Sequence, residues 1–318
     1  MMENTAGSQE RFFLASEGDA WFRRNAKVLG TPSSLHTDPC IRLASRLPSW
    51  PQSVVEIGCA NGWRLAEFAR RGSALCVGVD VSETALRDGL ARARADAACA
   101  KVFLVRGRAS ALPIKAPLVP VSLHSRRLGN ATLATPNRFQ GAPSEGGSRH
   151  SGFRLAILSF VLHWIDREAL LRVAAEVDAL VEDGGYLIVS DFLPDRPTKV
   201  PYHHAKGAEI FTYKQDYAAL FEATCLYKRV RGLVFDHDEP SKAFEVSGKL
   251  SDLAIDKEGP LASAFAEIGE SARAAAWVLE KSSGDLYVPS VIGTSSDAAD
   301  PDPRRDTSEE PRIEAPQS

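Results

Sequence analysis

Between Val54 and Trp63 the chain reads VVEIGCANGW: a strand-forming run ends in an acid, Glu56, and two glycines, Gly58 and Gly62, release it into a helical pattern. Glycines at such a turn let the backbone bend sharply and lie against a ligand, while the amides of the new helix point into the crevice beyond the strand. The spacing is GxxxG rather than the GxGxxG that a dinucleotide pyrophosphate asks for, and a carboxylate before the first glycine would repel a pyrophosphate. Glu56 instead suits a ligand carrying an ammonium group, met directly or through water. About two dozen residues later, CVGVDVS puts Asp80 at the end of a second strand, where a carboxylate accepts hydrogen bonds from the vicinal hydroxyls of a ribose and Val81 lies against an adenine.

Other residues could do chemistry on a substrate. His163 and Trp164 follow a fourth apolar run, and PYHHAKGAEIFTYKQDYAALF carries Tyr202, His203, His204 and Tyr213, able to present donors, acceptors or a base. His163 acts as a base only if it reaches a substrate proton; otherwise Trp164 packs beneath the next helix and the others are polar loop residues. Adjacent His203 and His204 do not converge on one ion without further ligands, so no metal is expected. The N-terminal FFLASEGDAWFRRN sets Trp21 and Phe22 beside Arg23, Arg24 and Asn25. Either it closes over a ligand, with the aromatics excluding water and Arg24 meeting a carboxylate, or its aromatics simply pack on the sheet.

The elements that must position these residues alternate. Strands are expected at Ser53–Ile57, Ala74–Val79, Lys101–Arg106, Arg154–Phe160 and Tyr186–Ser190. Between the last two, Leu170, Val173, Ala174, Val177, Leu180 and Val181 fall on one face of a helix, with Asp166 as N-cap and Gly184-Gly185 as stop. Thr212 and Gln215 have the spacing of a capping box, which predicts a helix start there. Repeated β-α-β of this kind gives an α/β fold: a doubly wound, mostly parallel sheet with helices on both faces. From Ala116 to Gly152 a Pro, Gly, Ser and Arg-rich segment without period reads as a disordered insertion, and 283–318 as a disordered tail.

Taken together, VVEIGCANG, VGVDVSETAL, GRASALP, LAILSFVLHWID and LVEDGGYLIVSDF resemble the class I S-adenosylmethionine-dependent methyltransferases, in particular the broad type 11 group, from Ser53 to Phe192. The resemblance implies S-adenosylmethionine as cofactor. It implies that Glu56 and the Gly58–Gly62 loop, with Cys59 and Ala60, hold the methionine part, Asp80 the ribose, and Val81 with the backbone near Ala109 and Ser110 the adenine. Ser159 would line the floor beside the sulfonium. It further implies a seven-stranded sheet of order 3-2-1-4-5-7-6, with Tyr227–Phe235 and an antiparallel Arg273–Lys281 as sixth and seventh strands and Lys242–Ser271 as a long link. Two positions depart from the pattern: Arg108 stands where the family has an acid near the adenine, and Arg154 where it has Asp at the fourth strand.

Composition bounds the rest. The 318 residues carry a formal net charge of only −3, so bulk electrostatics point to no nucleic-acid partner. Cys40, Cys59, Cys76, Cys99 and Cys225 are scattered without a CxxC pair, which argues against a disulfide framework or a zinc site and favours a reducing compartment. No apolar run approaches membrane-spanning length, so a cytoplasmic protein is expected. The expected organisation is a helical cap at 1–48, a methyltransferase domain at 49–282 holding the insertion, and the tail. The expected activity is methyl transfer to a small-molecule acceptor, with O or N favoured as nucleophile. A noncatalytic scaffold on the same fold is the alternative, motivated by Arg108, Arg154 and the insertion; a nicotinamide oxidoreductase is disfavoured by the missing GxGxxG.

Overall fold

The β-branched run at Ser53–Ile57 forms strand β1, buried from Val54 onward, as a central strand of a covered sheet must be. The computed structural model describes residues 8–116, 152–205, 207, 209–246 and 267–282. The expected insertion, apart from Ala116 and Gly152, and the expected tail therefore lie outside the described residues. Strands β2 (Leu75–Asp80), β3 (Val102–Arg106), β4 (Phe153–Ser159) and β5 (Val181–Phe192) follow. β1 lies parallel between β2 and β4, with β3 beyond β2 and β5 beyond β4, all parallel. β6 (Thr198–Pro201) and β7 (Phe211–Lys214) form a separate antiparallel pair. β8 (Tyr227–Asp236), β9 (Ala243–Val246) and β10 (Arg273–Lys281) return to the main sheet.

The sheet order is β3-β2-β1-β4-β5-β10-β8-β9, with β10 antiparallel to both neighbours. The expected 3-2-1-4-5-7-6 core is present and is extended by one edge strand. β9 pairs antiparallel with β8, so the stretch from Lys242 that was expected only to link two strands begins as a hairpin return.

Alternation along the strands explains the layers. Val55, Ile57, Ala156, Leu158, Leu187 and Val189 belong to one buried cluster, while Val54, Leu155, Ile157 and Ile188 belong to the other. Successive side chains point to opposite faces, so a strand buried on both sides reads as a continuous apolar run.

Of the helices, α1 (Ser8–Phe12) passes through a π-helical stretch into α2 (Gly18–Asn25). α3 (Pro32–Thr37) and α4 (Pro39–Ala44) each begin with proline behind a capping side chain, Thr31 and Asp38. α5 (Trp63–Arg70) and α6 (Glu83–Ala95) follow β1 and β2; α7 (Leu170–Asp178) precedes β5 and α8 (Ala218–Glu222) precedes β8.

Two local expectations are corrected. The helix expected between Asp166 and Gly184-Gly185 ends at Asp178, and Leu180 and Val181 pass into β5, because apolar spacing does not separate a helix end from a buried strand start. Its expected N-cap serves another element: the Asp166 carboxylate accepts from the backbone N–H groups of Gln9 and Glu10, at 3.3 and 3.2 Å. Thr212 begins no helix either. It lies in β7 opposite Val200, and the helix begins only at Ala218.

Candidate active site

At the carboxyl ends of β1, β2, β4 and β5 lies a cavity of about 600 Å³. In an open parallel sheet this crevice, where strand order reverses beside β1, is where ligands bind. The turn after β1 forms its floor. Gly58 has φ +76°, and a Cβ there would come within 2.2 Å of Val161 Cγ2, so both conformation and close approach require glycine. Ala60 shares the left-handed region at φ 50° without that freedom. Gly62, at φ +70°, packs against Leu104 and does not line the cavity; its freedom serves the start of α5.

Asp80 ends β2 at the cavity. Its carboxylate accepts from Ala60 N at 2.7 Å and Ser82 N at 2.8 Å, tying the two first turns together. Burial pushes its carboxyl up to about 6 despite these bonds. Cys59 also lines the cavity, and burial raises its thiol well above the ordinary value, so it is a small neutral group there.

Glu56 is completely buried beneath the floor, outside the cavity lining, and one of its oxygens is bound by Arg64, a residue that sequence reasoning did not single out. Arg64 also donates to Asp38 Oδ2 at 2.8 Å and to Ser159 Oγ at 3.1 Å. Burial pushes the Glu56 carboxyl up to about 7 against the pull of Arg64. Two carboxylates share one guanidinium, and Glu56 Oε2 is buried without a protein partner.

The N-terminal helices roof the site. Gly18 begins α2 so close to Val81 that a Cβ would lie 2.9 Å from its Cγ2. Asp19 accepts from Ser82 Oγ at 2.6 Å and Thr84 N at 3.0 Å. Trp21, Arg24 and Asn25 reach the cavity, whereas Phe22 is buried against Ala60 and Ala85. Of the two aromatics, only Trp21 faces the cavity, and Phe22 packs inside. Arg24, Glu17 and the Tyr202 hydroxyl form one hydrogen-bonded cluster, with Arg24 donating to Tyr202 at 2.8 Å. Glu10, also unforeseen, accepts from Ser110 Oγ and from Arg108 at 3.4 Å. Ala109 and Ser110 line the cavity and Arg108 does not. Arg154 lies at the opposite end of β4, bonded to Gly184 O at 2.7 Å and 3.5 Å from Glu182, away from the site.

The far end of the cavity is aromatic. Phe160, at φ 55°, sets its ring near those of His163, Phe192 and His237. His163 is buried, with Nδ1 2.8 Å from Asp191 Oδ1; Asp191 also accepts from the backbone N–H of His163 and of Phe192. Because Asp191 is an acceptor, Nδ1 carries a proton, and in the neutral imidazole the lone pair is therefore on Nε2. Trp164, Tyr202, His203 and His204 also line the cavity. Tyr213 does not. Alternation along β7 sends Thr212 and Lys214 inward and Tyr213 to the other side, where Arg167 lies 4.4 Å over its ring. Among the described residues no group of three or more His, Cys, Asp or Glu is placed to hold a metal ion, and no helix is long and apolar enough to cross a membrane.

This sheet order, with its antiparallel β10 and a cavity above β1 and β4, is that of the S-adenosylmethionine-dependent methyltransferases. A family model described as a methyltransferase domain matches residues 33–233, well over half of the chain, and the chain belongs to that family. It is an S-adenosylmethionine-dependent methyltransferase. Solved structures similar in fold include Burkholderia thailandensis 1,6-didemethyltoxoflavin-N1-methyltransferase with bound 1,6-didemethyltoxoflavin and S-adenosylhomocysteine, at 14% identity, 87% of this chain, 91% of that chain and TM-score 0.52. A Haloferax volcanii protein classed with the methyltransferases, in complex with the Trm112 methyltransferase activator, matches at 13% identity, 85% of this chain, 97% of that chain and TM-score 0.50. Comparison with curated protein sequences gave no match.

Proposed function

We propose that the enzyme methylates a small-molecule acceptor at oxygen or nitrogen in the cytoplasm, with the donor at the Asp80 end of the cavity and the acceptor at the His163 end. The observation that carries this is one continuous cavity with a ribose-type acceptor at one end and a carboxylate-held imidazole at the other. The residues present fit the donor. The cluster sets two carboxyl groups, Glu56 and Asp38, against the one guanidinium of Arg64 and leaves a buried Glu56 oxygen without a protein partner, which suits an ammonium group above it. Asp80 holds the ribose hydroxyls, Val81 and the backbone of Ala109 and Ser110 border the adenine, and Gly58, Cys59 and Ala60 let the chain approach the methionine part. Ser159, fixed by Arg64, borders the reacting centre, and Gly62 shapes the turn without touching the ligand.

When bound, the donor supplies a methyl group already activated on a sulfonium. Positioning and exclusion of water therefore account for most of the catalysis, and Phe13 and Trp21 of the N-terminal helices provide the exclusion. His163 Nε2 takes the proton of an acceptor that arrives protonated, and Asp191 stabilises the imidazolium. His203 and His204, exposed at the rim, contribute to acceptor choice.

Calorimetric titration of S-adenosylmethionine and S-adenosylhomocysteine into the wild type and Asp80→Ala tests the donor site. Binding by the wild type that the substitution weakens supports the reading. No binding in a well-folded sample sinks it.

A further inference from the structure

Lys214 lines the cavity, and the proposed function gives it no task. β7 directs it into the aromatic end of the cavity, where it is half-buried, with Nζ 3.7 Å from the centre of the Phe192 ring. Its hydrogen bond is a long one, to the Ser271 carbonyl at 3.4 Å, and among the described residues no carboxylate lies within ion-pair distance of it. The nearest buried acid, Asp191, is committed to His163 and to two backbone amides. Holding an ammonium group partly out of water with no counter-ion costs free energy unless a ligand provides one. Burial accordingly lowers its pKa, with Asp191 and Asp238 pulling the other way.

Beside it, the Phe192 ring lies 5.3, 5.2 and 4.9 Å from those of Phe160, His163 and His237, and Trp164 lies 4.7 Å from His163; all five line the cavity as a collar against which a flat ring packs edge-on or stacked. A cationic acceptor would meet repulsion from Lys214; a planar acid would meet both an aromatic wall and a counter-charge.

We propose that the acceptor is a small planar aromatic molecule carrying a carboxylate, bound with its ring in the Phe160–Phe192 collar and its carboxylate on Lys214. The inference rests on the donor and acceptor ends assigned above. The test is calorimetric binding of benzoate, salicylate and 4-hydroxybenzoate, each beside its neutral amide and with benzylamine as the cationic probe, in saturating S-adenosylhomocysteine. Wild type, Lys214→Met and Lys214→Arg are compared.

At least one carboxylate is expected to bind about tenfold or more tightly than its amide, as for a hydrogen bond to a charged group. That preference disappears in Lys214→Met and survives in Lys214→Arg. Equal binding of acids and amides, binding by none of the acids, preference for benzylamine, or a carboxylate preference that persists in Lys214→Met overturns the inference. S-adenosylhomocysteine binding separates the two levels: its absence in folded wild type sinks the donor reading and this inference with it. Its presence without carboxylate preference sinks this inference alone. Its retention in Lys214→Met shows that the variant is folded.

Discussion

Asp80 shows how a ligand-facing carboxylate is set against stability. Unfolded, it titrates near 3.8; folded, burial moves it to about 6. Its folded pKa is the higher one, so the native state binds the extra proton, and stability falls as pH rises through that window. Glu56, moved from 4.5 to about 7, acts in the same direction over a slightly higher window. The unliganded protein is therefore expected to melt at lower temperature at pH 7.5 than at pH 5. Asp80 contributes roughly 1 kcal/mol of that difference, because most of its folded-state titration but almost none of its unfolded-state titration falls between those two pH values. Thermal scans of wild type and Asp80→Asn check it: a variant whose slope between pH 4 and 6 equals the wild type's would remove Asp80 as the cause. His163 gives a kinetic prediction. His163→Gln and Asp191→Asn should each slow transfer to a protonated acceptor by about a hundredfold or more while S-adenosylhomocysteine affinity holds. The double variant should be hardly slower than His163→Gln, because the two act as a unit.

Short segments decide whether these residues meet. At the β1–α5 turn, Gly58→Ala would place a methyl group against Val161 and force a left-handed conformation on a residue with a Cβ. A loss of roughly 2 kcal/mol or more is expected in urea unfolding. Val161→Ala should recover only the steric part; full recovery would show that the backbone conformation costs nothing. In the sheet, Gly232 lies directly opposite Trp277, and a Cβ at Gly232 would approach its ring to 2.1 Å. Gly232→Ala is expected to destabilise by about 1 to 3 kcal/mol, as overpacking does, and an unchanged urea midpoint would contradict it. β7 makes the same point for function. Its period of two, rather than the helical period expected from Thr212 and Gln215, selects Lys214 for the cavity and removes Tyr213 from it.

Across the whole molecule, the N-terminal helices join parts of the chain far apart in sequence. The Gln9 side chain donates to Trp164 O at 2.8 Å and accepts from Phe211 N at 2.7 Å, so one amide spans the β4–α7 connection and the β6–β7 pair. The Glu17, Arg24 and Tyr202 cluster makes a second tie. Burial, and then the bond to Glu17, holds the Tyr202 phenol above its ordinary value, so it stays protonated and donates. Gln9→Ala leaves two backbone groups without partners and should release S-adenosylhomocysteine about tenfold faster, the equivalent of one lost hydrogen-bonded tie. Stopped-flow dissociation checks this; an unchanged rate would show that the roof does not gate the ligand.

Gly58, Asp80 and Val81 could be placed at the cavity from sequence because strand and turn are written there in short local runs, and the strand-helix alternation gave the α/β class for the same reason; Glu56, read as facing the ligand, instead lies beneath the floor against Arg64. Arg273–Lys281 was expected as a strand only through the family resemblance, and the structure buries it from Arg273 to Leu279. Other features depend on distance along the chain. Arg64 reaches Glu56 and Asp38 from the first turn of α5, Glu10 reaches Ser110 and Arg108 from α1, and Asp191 finds His163 across neighbouring strands. None of these pairings has a spacing that local periodicity encodes. The sequence by itself determined the parallel strands β1 to β5 and the first turns, because strand period and glycine conformation are local. Only the tertiary structure decided which charges are neutralised, which imidazole is oriented and which lysine is left facing the cavity, because those depend on what packing brings together.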